Sequence, residues 1–107
     1  MGFWPVVFWA AAVYNLVFGL PGLLRRDGAV EGRIVGLLVS CFGLVYALVA
    51  LDPVRFGPVL WAGVLGKLGV IALLGPAVMR GLAPRALGYV LAGDAAFTAA
   101  FLVYLLG

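Results

Sequence analysis

Two charged residues, Lys67 and Asp94, lie inside long apolar stretches of this sequence. In a helix, which rises about 1.5 Å per residue, Lys67 lies roughly 18 Å from Met79 and Asp94 roughly 15 Å from Pro84. In a membrane, both depths are near the middle of a hydrocarbon core about 30 Å thick. An amine and a carboxylate at equal depth on neighbouring helices predict an ion pair or hydrogen bond between Lys67 and Asp94.

Asn15 and Ser40, with Cys41 beside Ser40, fall at similar depths in two other apolar stretches. Together with Lys67 and Asp94 they predict one polar layer across the protein. Ionisable residues inside a membrane indicate a function by default, here a polar cavity, a proton relay or a substrate site. The alternative is a structural network that fixes helix register, with each hydrogen bond worth about 0.6 kcal/mol. Both interpretations stay open at the level of the sequence.

The sequence lacks the residues that usually bind metals or haem and those that form a hydrolase site. The chain has no histidine and one cysteine, so zinc, bis-histidine haem and iron-sulfur clusters lack donors. Ser40 has no histidine base, which leaves a hydrolase triad unsupported. We therefore expect no metal and no cofactor, and we do not expect an enzyme.

The composition places the residues of the chain in a membrane. Of 107 residues, 66% are hydrophobic and 10% charged, and the mean hydropathy is +1.24. A soluble domain is roughly half apolar and a quarter charged. Four apolar stretches, each long enough to span as a helix, cover about residues 3–24, 30–51, 56–79 and 84–106. Because the turns between them are short, the sequence predicts one all-α domain, an integral membrane four-helix bundle with up-down topology.

Arginines predict the orientation of these spans. Arg55 alone flanks the second turn, whereas the first and third turns are flanked by the other five arginines, Arg25, Arg26, Arg33, Arg80 and Arg85. By the positive-inside rule, the first and third turns face the cytoplasm and both termini lie outside. The same rule explains the net charge of +3, so we expect no nucleic-acid partner.

The two halves of the sequence show signs of a repeated helical hairpin. A shift of 52 positions aligns Trp9-Ala10 with Trp61-Ala62, Asn15 with Lys67 and Arg33 with Arg85. Small-residue ridges, typical of close helix packing, lie in three of the spans. The aromatic residues expected in an outer interfacial belt are Trp4, Trp9, Tyr46, Phe56, Trp61 and Tyr104.

Length and span number invite comparison with the small multidrug resistance transporters, and Trp61-Ala62-Gly63 is similar to a Trp and Gly pattern on their third helix. Those transporters exchange protons and drugs through a glutamate in the first helix, where this chain has Asn15. The resemblance therefore does not carry over their antiport mechanism. The strong arginine bias also disfavours the dual topology of that family.

More of the chain resembles small bacterial four-span proteins, uncharacterised or of DoxX type. The residues that carry this resemblance are Tyr14-Asn15-Leu16, Gly19-Leu20-Pro21 and Gly63-Val64-Leu65-Gly66-Lys67-Leu68. The resemblance implies a helical bundle in a bacterial inner membrane. DoxX-type proteins have been linked to quinone-dependent oxidation, but no redox centre is evident in this sequence.

The first functional hypothesis is a small transport or ligand-binding protein of the cell membrane, centred on Lys67 and Asp94 with Asn15 and Ser40 in the same layer. We expect such a protein to act as an oligomer, because four short helices enclose little space. The alternative is a non-catalytic accessory subunit of a larger membrane complex. An enzyme acting on a lipid or quinone is the least supported class.

Overall fold

A computed structural model describes residues 2–107 and confirms the all-α prediction. These residues are 88% helical, and none of them lies in a strand. The long helices are α1 (Phe3–Leu24), α2 (Val30–Leu51), α4 (Leu60–Met79) and α5 (Arg85–Leu106). A short helix, α3 (Pro53–Phe56), and a 3-10 turn (Gly57–Val59) lie between α2 and α4.

Four helical segments are long and apolar enough to cross a membrane, with Pro53–Met79 forming the third of them. In the most apolar part of each segment, only 17 to 33% of the residues are buried. A soluble helix hides its apolar stripe, whereas these helices expose most of their apolar surface, as lipid-facing helices do. The chain is therefore a multi-pass, integral membrane protein.

The third span begins earlier than the apolar stretch at residues 56–79 predicts, because a short helix, α3, precedes it. Asp52 Oδ1 accepts a hydrogen bond of 3.2 Å from the Arg55 backbone N–H, and Pro53 occupies the first helical position. An aspartate cap followed by proline starts a helix, so α3 forms inside the expected turn. Pro58 has no N–H to continue α-helical bonding, and the chain passes through the 3-10 turn before α4.

The chain divides into two compact units, with Gly57 ending the first and Pro58 beginning the second. In the first unit, α1 and α2 form an antiparallel hairpin that packs through small residues. A Cβ atom added to Gly19 would lie 2.6 Å from Ser40 Oγ, and one added to Gly43 would lie 3.1 Å from the Ala12 carbonyl oxygen. Glycine therefore lets the two backbones approach closely.

In the second unit, α4 and α5 form another antiparallel hairpin. The turn between them closes with two hydrogen bonds, from Leu82 N–H to the Ala77 oxygen at 2.8 Å and from Gly81 N–H to the Val78 oxygen at 3.1 Å. Gly81 has a φ of 72°, the left-handed conformation that this helix ending requires. Glycine is the residue that adopts it at least cost.

Four of the five buried positions of α1 have buried counterparts in α4 at the predicted shift of 52. Phe8, Ala11, Ala12 and Asn15 are buried in α1. The positions aligned with them in α4, all buried as well, are Leu60, Gly63, Val64 and Lys67. The agreement does not extend throughout the second helices, because Ser40 and Gly43 are buried in α2 whereas Ala92 and Ala95, aligned with them in α5, are exposed. The duplication stays a prediction.

Tyr46 departs from the expected aromatic belt. Its side chain is 1% exposed, so it belongs to the buried core. The belt prediction is wrong for Tyr46 because depth along a helix does not determine which way a side chain faces. Among the other aromatic residues expected there, Trp61 is exposed and the rest are half-buried.

Candidate functional site

Lys67 lies on the buried face of α4. The residues of this face are Leu60, Gly63, Val64 and Lys67. Their spacing of three and four places them on one stripe of the helix. Lys67 is about 18 Å along the helix axis from Met79, where α4 ends. The amine is therefore carried well inside the span.

Asp94 lies on the corresponding face of α5. The buried residues there are Leu91, Asp94, Thr98 and Phe101, again one stripe of a helix. Asp94 is about 14 Å from Arg85, where α5 begins. Both charged residues thus lie near the middle of their spans.

The two charged groups form a direct ion pair. Lys67 Nζ donates a hydrogen bond to Asp94 Oδ1 at 2.8 Å. Lys67 is 6% exposed and Asp94 is 8% exposed. The pairing expected from their depth and charge is present, and the two opposite charges neutralise each other in buried surroundings.

Two residues on α5, Phe97 and Thr98, lie beside the pair. Lys67 Nζ lies 5.7 Å from the centre of the Phe97 ring, within the range of a cation-π interaction. Thr98 Oγ1 donates to the backbone oxygen of Asp94 at 2.7 Å. The ring thus adds a second favourable contact to the ammonium, while Thr98 satisfies its own hydroxyl within the helix.

Sequence reasoning missed both Phe97 and Thr98. Thr98 follows Asp94 by one helical turn and Phe97 follows it by three positions, so helical spacing alone puts both beside the carboxylate. Phe97 resembles any lipid-facing aromatic residue, and Thr98 is a single hydroxyl in an apolar run. The spacing from Asp94 was the available signal.

Asn15 and Ser40 lie in the first unit and are buried there. Asn15 Nδ2 donates to the Val39 backbone oxygen at 3.1 Å, which joins α1 to α2. Ser40 Oγ donates to the Gly36 oxygen one turn earlier in its own helix, at 2.8 Å. The Asn15 bond therefore joins the two helices of the hairpin, whereas the Ser40 bond stays within α2. A single layer that unites Asn15 and Ser40 with Lys67 and Asp94 stays a prediction.

Lys67 and Asp94 carry groups that are able to bind a small ion or a charged ligand. A carboxylate accepts hydrogen bonds and takes up a proton or a cation, and an ammonium donates to an anionic group. Within residues 2–107, no cluster of three His, Cys, Asp or Glu side chains has the arrangement to hold a metal ion. Cys41 is a free, exposed thiol on α2.

Comparisons with protein-family models, with characterised proteins and with solved structures found no match for this chain.

Proposed function

We propose that this chain is a small transport or ligand-binding membrane protein in which Lys67 and Asp94 bind the ion or charged ligand. The observation that supports the proposal is their buried ion pair, with 2.8 Å between Nζ and Oδ1, near the middle of two membrane-spanning helices. Asp94 is the acceptor for a proton or small cation, and Lys67 is the counter-charge that such a ligand displaces.

The energetic cost of the pair favours a functional role. Placing a lysine or an aspartate at the centre of a membrane helix costs about 2.5–3.5 kcal/mol. Well-packed apolar side chains of similar volume are often as stabilising as a buried ion pair, or more so. Helix packing alone therefore does not need these charges, whereas binding of a charged ligand does.

Breaking the pair provides a simple binding step. A proton that arrives at the Asp94 carboxylate removes its negative charge and weakens its attraction for the Lys67 ammonium. The cation-π contact with Phe97 then remains to hold that ammonium. A pair that exchanges one partner for a ligand in this way has two arrangements, as a carrier or a binding site requires.

The arginines support an orientation in a bacterial inner membrane. Arg25, Arg26 and Arg33 flank the α1–α2 turn, and Arg80 and Arg85 flank the α4–α5 turn. The positive-inside rule puts both turns on the cytoplasmic side. The start of α1 and the end of α5 then lie on the outer side.

Proton flux into vesicles tests the proposal. The full chain is reconstituted into liposomes that contain a pH-sensitive dye, and a potassium diffusion potential drives protons inward. We expect flux above that of protein-free vesicles, and we expect Asp94→Asn to reduce it to the protein-free level. Asp52→Asn is the matched control, because Asp52 is an exposed carboxylate and asparagine also caps a helix.

Equal flux with and without protein contradicts proton transport by this chain. Equal loss in Asp94→Asn and Asp52→Asn contradicts a specific role for Asp94. Circular dichroism of each variant before reconstitution separates loss of the site from loss of the fold.

An accessory subunit of a membrane complex is the second candidate, and the outer surface of α5 favours it. Small residues, which mediate close contacts between membrane helices, are exposed on α5 at Ala92, Ala95, Ala96 and Ala99. Purification in mild detergent should then recover a stoichiometric partner that Ala96→Leu releases. A single unaccompanied species argues against this role.

A further inference from the structure

We infer that the α1–α2 turn binds the phosphate of an anionic membrane phospholipid, with Arg25 and Arg33 beside the phosphate and an acyl chain along the adjoining apolar groove. The site lies in the first unit and shares no residue with the Lys67–Asp94 pair of the second unit. Its test is therefore independent of the proposed transport function.

A cavity of about 350 Å³ lies at this turn, and its lining residues are Arg25, Asp27 and Arg33 with three glycines and Ala29. Its volume is in the range of small-molecule sites, about 300–1,000 Å³. Two arginines face one aspartate in the lining. Arginine matches phosphate geometry because its planar guanidinium donates two parallel hydrogen bonds.

Arg33 is held in place but has donors to spare. Its Nε donates to the Leu23 backbone oxygen at 3.0 Å, which satisfies a carbonyl at the end of α1. A guanidinium has five N–H donors, and within residues 2–107 the terminal nitrogens of Arg33 have no hydrogen-bond partner. Arg25 Nε is 3.8 Å from Asp27 Oδ1, and both side chains are largely exposed. Such an exposed pair is weak, so a phosphate can displace it.

The backbone around the cavity also favours an anion. α2 begins at Val30, and its N-cap residue, Ala29, makes no side-chain hydrogen bond to the first turn. The first N–H groups of a helix lack partners within the helix and carry partial positive charge. Ala29 and Gly32 both line the cavity. The N–H groups at the start of α2 therefore add partial positive charge beside the two arginines, and Glu31, the acidic residue of this turn, does not line the cavity.

An apolar groove next to this cavity distinguishes a lipid from free phosphate. The groove, about 130 Å³, is lined by Leu23, Val30, Arg33, Ile34 and Leu37. Arg33 lines both spaces. Because α1 ends at Leu24 and α2 begins at Val30, the cavity lies where the chain leaves the apolar spans, at the depth of lipid headgroups. A cavity with charged side chains in its lining and an apolar groove, which meet at Arg33, match a phospholipid headgroup and its chain.

Native mass spectrometry of the purified full chain tests this assignment. The protein is titrated with phosphatidylglycerol or phosphatidylcholine in detergent, and inorganic phosphate is added as a competitor. We expect one phosphatidylglycerol per chain, bound at least about fivefold more tightly than phosphatidylcholine. Millimolar phosphate should not displace it, because free phosphate makes no contact with the groove.

Three variants locate the site. Arg25→Gln should weaken phosphatidylglycerol binding about fivefold, the effect expected for one arginine at a membrane surface. Gly32→Leu should weaken it as much while keeping every charge, because a Cβ atom on Gly32 meets nothing within 4 Å and the side chain is free to fill the cavity. Arg80→Gln is the matched control and should change binding less than about twofold, because Arg80 lies at the other turn.

Equal weakening in Arg25→Gln and Arg80→Gln would mean general surface electrostatics and would overturn the site. Unchanged phosphatidylglycerol binding in Gly32→Leu would exclude the cavity as the binding site. Full displacement by inorganic phosphate would mean that the site binds a free anion, and it would contradict a role for the groove in binding an acyl chain.

Discussion

Gly36 on α2 meets Gly19 on α1 so closely that a Cβ atom on Gly36 would stand 2.6 Å from the Gly19 carbonyl oxygen. The same atom would stand 2.5 Å from the Leu23 backbone nitrogen. Both neighbours are backbone atoms, which cannot move aside as a flexible side chain does. Glycine at this crossing is therefore a packing requirement of the first hairpin.

Gly36→Ala should destabilise the protein by about 2 kcal/mol, because the added methyl group forces the two helices apart. Gly66→Ala is the matched control, since a Cβ atom there meets nothing within 4 Å. Alanine is the better helix former by about 1 kcal/mol, so the control should be neutral or slightly stabilised. Unfolding in detergent, followed by circular dichroism, measures both changes. Equal stability of the two variants contradicts the close crossing.

Ser40→Ala should leave proton flux unchanged and cost at most about 0.6 kcal/mol of stability. The Ser40 hydroxyl donates to the Gly36 oxygen within its own helix, and such a local bond adds little. Flux in vesicles and unfolding in detergent measure the two effects. A large loss of flux with the fold intact would return Ser40 to the ligand site.

The ion pair was predictable because charge and depth restrict a buried amine to few partners. Lys67 and Asp94 are the only charged residues deep inside the apolar stretches of the sequence, so each is the natural partner of the other. The four long helices were predictable for a similar reason. Charges and turn residues divide the apolar sequence into lengths that match a membrane.

The partners of Asn15 and the burial of Tyr46 were not predictable in the same way. Both depend on how each helix is rotated about its axis. Close packing at the glycines determines this rotation, and the hydropathy of the sequence does not predict it. The one-turn helix at residues 53–56 was missed because the Asp52 cap acts inside a segment that reads as a turn. The Asp52 cap therefore starts a helix in a segment that the sequence pattern indicates to be a turn.

Phe97→Leu should reduce stability by about 1 kcal/mol through loss of its cation-π contact with Lys67. A double-mutant cycle with Lys67→Met isolates this contact from general loss of packing. Tyr89→Leu is the control, because Tyr89 is 80% exposed on the same helix. A coupling energy near zero for Phe97 and Lys67 contradicts the contact.

Cysteine labelling should show that the second and third turns lie on opposite sides of the membrane. In a Cys41→Ser background, Val54→Cys should react with a membrane-impermeant maleimide added outside intact cells. Leu82→Cys should react only after permeabilisation, as the arginine distribution predicts. Val54 is 89% exposed and Leu82 is 76% exposed, so access to the thiol is similar. The reverse pattern contradicts the proposed orientation.

Lys67 and Asp94 are proposed to bind a ligand, and the helices should hold together without them. Replacing both residues with apolar side chains, Lys67→Met with Asp94→Leu, removes both charges and leaves no unpaired charge behind. Such double replacements of buried ion pairs are often neutral or stabilising, whereas loss of one partner costs about 3–5 kcal/mol. We therefore expect the double variant to fold and Asp94→Leu alone to be strongly destabilised.

Proton flux through vesicles that contain the folded double variant is the most direct measurement. We expect flux at the level of protein-free vesicles, with helix content and unfolding stability at or above those of the original chain. Flux equal to that of the original chain would show that the pair only joins α4 to α5, and would contradict the proposed function.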